Sequence, residues 1–253
     1  MKATVYSVEG KALKEIDLPS QFEAAVRDDL VKRAVLSEES EGYQPKGSYR
    51  WAGLETSARY RGRKEDYAAV KNKGIPHLPH EVQPNGQFGK VKRVPHSMHG
   101  RRAHPPKVEK KIVERINKKE YMRALESALA FAASREAVCA RANTDIGASI
   151  PIVMDDSFEA LAKTKDVSKV FSALHLLKFV EKAKRTGTKA PLVVASSGSS
   201  VLKAAKNLAG VDAVSAKNLK VKHLAPGTHA GRLTLFTVKA LGEIAGRFTE
   251  AEA

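Results

Sequence analysis

Residues 42–111 lack the apolar side chains that a folded core requires, and this limits how the rest of the chain can be organised. The segment contains only eight Leu, Ile or Val, but it holds seven of the 11 prolines and eight of the 17 glycines of the 253-residue chain. Loops of this length are rare inside compact domains and are either functional or disordered. We therefore predict one long insertion that forms no core of its own.

The same stretch, which we call the basic segment, carries most of the positive charge of the chain. It has 16 Lys and Arg against five Asp and Glu, a net of +11 out of +16 for the whole sequence. Disordered segments usually contain few aromatic residues, whereas this one contains six: Tyr43, Tyr49, Trp51, Tyr60, Tyr67 and Phe88. Basic side chains attract a polyanion, and aromatic rings and Arg planes stack on bases. The composition therefore predicts an RNA partner.

The remainder of the chain is large enough for one well-packed core, since about 180 residues lie outside the basic segment. A single cysteine, Cys139, excludes a disulfide framework and any zinc site built from several cysteines. The sequence has no run of 18 apolar residues, and MKATVYSVEG lacks the apolar centre of a signal peptide. We expect a soluble cytoplasmic protein that has no membrane partner.

Hydrophobic periodicity outside the basic segment alternates between strands and helices. The patterns predict strands at residues 2–8, 150–154, 191–195, 212–215 and 233–238. They predict helices that begin at Ser20 and end at the acidic residues 38–41, and at 118–138, 158–161, 168–184, 199–208 and 239–248. Such alternation is typical of an α/β fold with a mostly parallel sheet and helices on both faces. We expect one globular domain, residues 1–41 and 105–253, with a long extended basic loop, residues 42–104, inserted after the first helix.

Two sites in the predicted sheet could belong to an enzyme. Residues 196–200, SSGSS, follow a predicted strand and open a helix, where α/β folds bind phosphate. However, neither a GxGxxG nor a GxxxxGK[ST] motif is present. Asp155 and Asp156 also follow a strand, but we favour a helix N-cap for them. We therefore expect no catalytic residues, no cofactor and no small-molecule substrate, and we interpret Cys139 as a small packed side chain.

Histidines are frequent in the basic segment, and two pairs have a spacing of three residues: His77 with His80, and His96 with His99. No cysteine or carboxylate cluster completes a metal site, and prolines interrupt any helix that would align the first pair. We therefore expect no metal, and we interpret these histidines as RNA contacts or solvated loop residues.

The densest basic stretches are RYRGRK, residues 59–64, and HGRRAHPP, residues 99–106. Arginine makes planar bidentate contacts with phosphate, and glycine permits close approach of the backbone. We predict that RNA is bound by Arg50, Trp51, Arg59, Tyr60, Arg61, Arg63, Lys64, Lys71, Lys73, Lys90, Lys92, Arg93, His96, His99, Arg101, Arg102 and His104.

Four stretches of the chain resemble one protein family in order and spacing. They are DLPSQFEAAVRDDLVKRAV, KRVPHSMHGRRAHPPKVEKKI, RALESALAFAAS and AAKNLAGVDAVSAKNLKVKHLAPGTHAGRLTLFTVKAL, of which LAPGTHAGRLTLFT is the most specific. On these stretches the chain resembles the L-four family of large-subunit ribosomal proteins, in its archaeal and eukaryotic form. The resemblance covers nearly the whole length.

The resemblance implies a structural component of the large ribosomal subunit that binds large-subunit rRNA and neighbouring ribosomal proteins and aids assembly. It also implies that the loop enters the rRNA and lines part of the peptide exit tunnel, near the nascent polypeptide. The glycines and arginines of the family's loop correspond here to Arg59, Arg61, Gly62 and Arg63 near the tip, and to Arg93, Gly100, Arg101 and Arg102 on the returning limb. The chain differs from the family at the acidic Glu65 and Asp66, and in residues 181–190, EKAKRTGTKA, where family members often carry a longer basic segment.

Two alternatives belong to other functional classes. One is an RNA-modifying enzyme with a basic RNA-binding arm, which a glycine-rich cofactor loop after a strand would indicate. The other is a regulatory nucleic-acid-binding protein that acts away from the ribosome.

Overall fold

A computed structural model of the protein describes residues 1–252. The chain divides into two compact units, which we call the first unit, Met1–Gly42 with the chain from Val113 onward, and the second unit, Tyr43–Ile112. No helix within the described residues is both long and apolar enough to cross a bilayer.

The first unit contains a six-stranded sheet, with the order β2-β1-β5-β8-β6-β7. All neighbouring strands are parallel except β1 and β2, which are antiparallel. The strands are β1 (Lys2–Tyr6), β2 (Ala12–Asp17), β5 (Ile152–Met154), β6 (Leu192–Ala195), β7 (Asp212–Ser215) and β8 (Thr234–Thr237); β3 and β4 belong to the second unit.

Helices cover this sheet on both faces. They are α1 (Asp28–Ser40), α2 (Lys118–Ala133), α3 (Arg135–Ala142), α4 (Thr164–Ala173), α5 (Leu177–Thr186), α6 (Val201–Lys206), α7 (Val221–Leu224) and α8 (Val238–Glu252). Short 3₁₀ turns at Ser20–Glu23, Asp156–Ala160, Ala216–Asn218 and Pro226–Thr228 connect them.

Two apolar clusters lie on opposite faces of the sheet, because successive strand residues point in opposite directions. One cluster combines Val153, Val194 and Phe236 with α1, α2, α7 and α8. The other combines Ile152, Val193 and Leu235 with α3, α4, α5 and α6. The predicted α/β class, with a mostly parallel sheet and helices on both faces, is confirmed.

Several predicted helix boundaries were wrong. The helix predicted at 118–138 is interrupted at Ser134, whose extended backbone ends α2 and whose side chain accepts a hydrogen bond from Ala137 N at the start of α3. The helix predicted at 168–184 is interrupted before α5, where His175 has a φ of 56°. In both cases the apolar period continues across the break, so periodicity alone does not reveal it.

The second unit contains little regular structure. It has one antiparallel hairpin, β3 (His80–Val82) and β4 (Phe88–Val91), which the sequence analysis did not predict. Its buried residues are Ala58, Ala69, Val70 and His80, and neither apolar cluster includes any residue of this unit. Backbone hydrogen bonds connect its distant segments, such as Val70 N to Arg61 O at 3.0 Å and Lys92 N to Pro79 O at 3.0 Å.

A buried arginine connects several segments of the first unit that are distant in sequence. The Arg232 side chain is 2% exposed and donates to Asp212 Oδ2 at 2.6 Å. It also donates to the carbonyl oxygens of Ala190, Gly210 and His223, at 2.9, 3.2 and 3.0 Å. Burial would raise the pKa of Asp212, but the charge and hydrogen bond of Arg232 outweigh it and hold that pKa below its usual range.

We expect Arg232→Ala to lower the free energy of unfolding by about 3 kcal/mol or more, because it leaves three carbonyl groups without their donor and leaves the partly buried Asp212 with only the exposed Lys189 as a partner. Urea denaturation measures this loss. The pKa of Asp212 is lower in the folded protein than the ordinary value of 3.8. The pair therefore contributes fully to the free energy of unfolding above pH 3.8, and this contribution is lost as the pH falls from 3.8 through the lowered pKa.

The stability difference between wild type and Arg232→Ala should therefore shrink in acid. Lys11→Ala is the control, since it removes a surface pair with Glu9 in which both side chains are more than 70% exposed. This variant should keep the wild-type midpoint. A midpoint for Arg232→Ala equal to that of Lys11→Ala would contradict the structural role of Arg232.

Candidate nucleic-acid interface

The second unit presents nearly all of the predicted RNA-binding side chains to solvent. Three of the 17 are half-buried: Arg61, Lys92 and Arg93. The other 14 are exposed, namely Arg50, Trp51, Arg59, Tyr60, Arg63, Lys64, Lys71, Lys73, Lys90, His96, His99, Arg101, Arg102 and His104. A surface of this kind is available to a partner.

The charges of this unit are not neutralised internally. Among the side chains of residues 1–248, none of its 16 Lys and Arg takes part in an ion pair. The first unit, by contrast, pairs several of its arginines with carboxylates, as in Arg27 with Asp29 and Arg232 with Asp212. The unpaired cations of the second unit create a positive field that attracts polyanions.

Five of the six aromatic rings in the second unit are at least half exposed, from 50% for Trp51 to 71% for Tyr67. The Arg50 guanidinium lies 5.9 Å from the centre of the Trp51 ring, which creates a cation–π pair on the surface. Phe88 differs, because it is half-buried and meets the His80 ring edge-on at 5.7 Å. The exposed rings can stack on bases, whereas Phe88 stabilises the hairpin.

His80 is a structural residue, and its interpretation as an RNA contact or solvated loop residue was wrong. It is 7% exposed. Its two ring nitrogens lie 3.1 Å from Gly89 O and 3.0 Å from Pro76 O. The described residues contain no group of three or more His, Cys, Asp or Glu able to hold a metal ion.

Arg93 also holds the second unit together. Its Nη1 donates to Ala58 O at 3.2 Å, and its backbone has a φ of 70°, which is uncommon outside glycine. A half-buried arginine that is already bonded to its own chain has fewer donors for a ligand. The charge of Arg93 is evident from the sequence, but its internal partner is visible only in the fold.

Two glycines allow parts of the second unit to approach closely. A Cβ on Gly100 would lie 1.9 Å from Val94 O, and one on Gly53, whose φ is +74°, would lie 2.4 Å from the Gly100 carbonyl. Contacts this short exclude any side chain at either position. These glycines are therefore needed for packing inside the unit. The sequence had instead suggested that Gly100 allows the backbone to approach phosphate.

The carboxyl edge of the sheet is occupied by the chain's own carboxylates. Glu159 accepts from Ser196 N at 2.9 Å, Ser196 Oγ at 2.6 Å and Thr237 Oγ1 at 2.5 Å. Glu243 accepts from both the backbone and the hydroxyl of Ser197 at 3.2 Å. Burial would raise the pKa of Glu159, but the hydrogen bonds from Ser196 and Thr237 outweigh this effect and lower the pKa. The Glu159 carboxylate is therefore ionised near neutral pH.

The remaining candidates also have structural roles. Asp155 caps the 3₁₀ turn Asp156–Ala160 by accepting from Ser157 N, as the N-cap interpretation predicted. Cys139 is partly buried and packs against the cluster around Ile152, in agreement with its interpretation as a packed side chain.

Comparison with known proteins identifies relatives along nearly the whole chain. The profile of the ribosomal protein L4/L1 family matches residues 16–247. "Large ribosomal subunit protein uL4" of Methanocaldococcus jannaschii is 44% identical over 264 residues, covering 98% of this chain and 100% of that protein. Proteins of the same name from Methanococcus maripaludis and Archaeoglobus fulgidus are 42% and 40% identical, covering 98% and 96% of this chain and 100% and 99% of theirs.

We expect the first unit to bind no nucleotide cofactor, because an anion at residues 196–200 would meet the carboxylates of Glu159 and Glu243 instead of free amides. Thermal shift of the full chain with NAD, ATP or S-adenosylmethionine at millimolar concentration should show no stabilisation. A ligand at about 100 times its Kd would add about 2.7 kcal/mol, which such a scan detects. A reproducible rise in Tm with any one of the three would contradict this expectation and restore the enzyme alternative.

Proposed function

The chain belongs to the ribosomal protein L4/L1 family, and from this we propose that it is a structural component of the large ribosomal subunit that binds large-subunit rRNA. The observation that carries the proposal is the second unit, whose basic side chains have no ion-pair partners among the described residues and five of whose six aromatic rings are exposed.

The proposed binding has three physical components. Lys and Arg side chains displace counterions from phosphates, and this dominates the affinity. Exposed rings such as Trp51 and Tyr60 stack on unpaired bases. The second unit has few buried residues and therefore buries little apolar surface. Contacts with RNA and neighbouring ribosomal proteins would provide much of the free energy that orders it. In this way the protein would help to order the subunit during assembly.

The enzyme alternative has no support in the structure of the first unit. Its carboxyl edge, where α/β enzymes bind ligands, is filled by Glu159 and Glu243 bound to Ser196 and Ser197. Family membership favours the structural class over both an RNA-modifying enzyme and a regulator acting away from the ribosome.

The resemblance to the family also supports a finer assignment within the ribosome. It implies that the loop reaches the peptide exit tunnel. Residues 59–79 lie farthest along the chain from both ends of the loop, so we propose that they form its tip and line the tunnel beside the nascent chain, while residues 93–104 contact rRNA nearer the base. The tip carries the most exposed aromatic side chain of the second unit, Tyr67 at 71%. Such a ring is free to contact a passing peptide.

The first test concerns charge in the second unit. Replacing exposed Arg59, Arg63 and Lys64 together by Gln should weaken binding to large-subunit rRNA and reduce the slope of log K against log salt concentration. The expected reduction is about 0.7–0.9 for each phosphate that these side chains neutralise in the wild-type complex. Filter binding between about 50 and 200 mM salt measures both quantities.

The matched control replaces three exposed lysines of the first unit, Lys163, Lys165 and Lys206, by Gln. This variant has the same change in charge and should bind like wild type. Equal slopes for wild type and the Arg59, Arg63 and Lys64 variant would show that the second unit is not the main RNA surface.

The second test concerns the tunnel. A photocrosslinker at Tyr67 should capture a nascent peptide in stalled ribosomes, and one at Arg101 should capture only rRNA, because the first position lies in the tip and the second on the returning limb. Gel analysis of labelled nascent chains distinguishes the two adducts. If both positions gave rRNA alone, the tunnel assignment would be wrong while the RNA-binding proposal would stand.

A further inference from the structure

A half-buried arginine in the first unit lacks an acidic partner. Arg141, near the end of α3, donates to the carbonyl oxygens of Pro226, at 2.9 Å, and of His229. Within the described residues no carboxylate pairs with it, and the charge that acts on it is another cation, Arg232. Burial and this neighbouring charge both lower the pKa of Arg141. An anion beside Arg141 would relieve both effects.

The side chain of Arg141 faces a groove of about 1220 Å³ on the surface of the first unit. The groove lies between α3, α5 and the loop that leads into β8, and Lys182 and Lys189 contribute further cations. Lys189, together with Arg232, already neutralises Asp212. Lys182 is exposed, and its ammonium group donates a long, weak hydrogen bond to Ala142 O at 3.5 Å. Asp28 and Glu39 also line the groove, but within the described residues neither Arg141 nor Lys182 forms an ion pair with a carboxylate.

Donors remain available at the Arg141 end of the groove. An arginine carries five N–H groups, and Arg141 uses one on each of its two terminal nitrogens for the carbonyls of the loop. Two half-buried rings, Phe131 and Phe179, also line the groove. Cationic donors beside apolar rings are the combination that binds phosphate and packs against a ribose or a base.

We propose that this groove binds a second segment of the large-subunit rRNA, with a backbone phosphate between Arg141 and Lys182. The inference rests on the proposed function and adds to it a contact on the first unit. It also gives a role to residues 181–190, because Lys182 and Lys189 of this shortened basic segment both line the groove. An RNA backbone fits these features better than an acidic peptide, since unpaired cations and aromatic rings occur together.

The test uses Lys182, because replacing Arg141 would also release the loop at Pro226 and His229. In the full chain, Lys182→Glu should weaken binding to protein-free large-subunit rRNA and lower the salt slope by about 1. At about 0.2 M salt, neutralising one phosphate fewer corresponds to a roughly fourfold weaker affinity. Lys182→Arg should bind like wild type.

Lys184→Glu provides the matched control. Lys184 lies on the same helix and is also exposed, but it does not line the groove. It should keep the wild-type affinity and slope. If Lys182→Glu bound like Lys184→Glu while the Arg59, Arg63 and Lys64 variant was weakened, the groove proposal would fail and the proposed function would stand. Wild-type binding by all three variants would count against both.

A crosslinking experiment separates RNA from protein as the occupant. A photocrosslinker at position 182 in purified large subunits should give an adduct with rRNA that is absent when the crosslinker is at position 184. Adducts at 182 with a neighbouring protein only, or equal rRNA adducts at both positions, would overturn the proposal.

Discussion

The carboxylate of Glu159 determines what the carboxyl edge of the sheet can do. By bonding Ser196 and Thr237 it joins the ends of β6 and β8 to the turn that follows β5. In α/β enzymes this edge is where ligands bind, and here the amides that would receive an anion already have carboxylate partners. The sheet is therefore a scaffold, and binding is left to the surface of the first unit and to the second unit.

The two units use charge in opposite ways. Of the net +16, the basic segment holds +11, so the first unit is left with +5. In the first unit charged groups connect separate segments: Glu38 accepts from Val221 N, Lys222 N and the Tyr121 hydroxyl, and Arg232 donates to Ala190, Gly210 and His223. In the second unit most cations lie at the surface, and none has a carboxylate partner among the described residues. The same side-chain chemistry thus maintains the fold in one unit and is available for a partner in the other.

The sequence was sufficient for the α/β class, because strands such as β5 and β6 are uninterrupted apolar runs that only a sheet covered on both faces can bury. It was not sufficient for the helix breaks at Ser134 and before α5. There a local cap or turn ends the helix although the apolar spacing of the sequence continues past the break. Strand β2 was missed because most of its residues are exposed, which removes the alternation that reveals a half-buried strand. The charged and aromatic candidate residues followed from composition. The internal partner of Arg93, Ala58 O, lies 35 residues away, and the partners of His80 are the backbone carbonyls of Pro76 and Gly89, so no sequence spacing encodes either contact. Arg141 was missed for the same reason, since an arginine between two alanines of a helix has no distinguishing local pattern.

The close contacts at Gly53 and Gly100 have a consequence for how this protein can diverge. Backbone contacts largely determine the conformation of the second unit. They include glycines that allow close approach of neighbouring carbonyl groups, hydrogen bonds between main-chain groups, and His80, which bridges two backbone carbonyls. A path encoded in this way depends on few side chains. Most of the basic and aromatic side chains are therefore not needed to maintain the fold. They can be substituted as the sequence of the RNA partner changes. Such a surface can follow its partner through evolution while the chain that carries it keeps the same course.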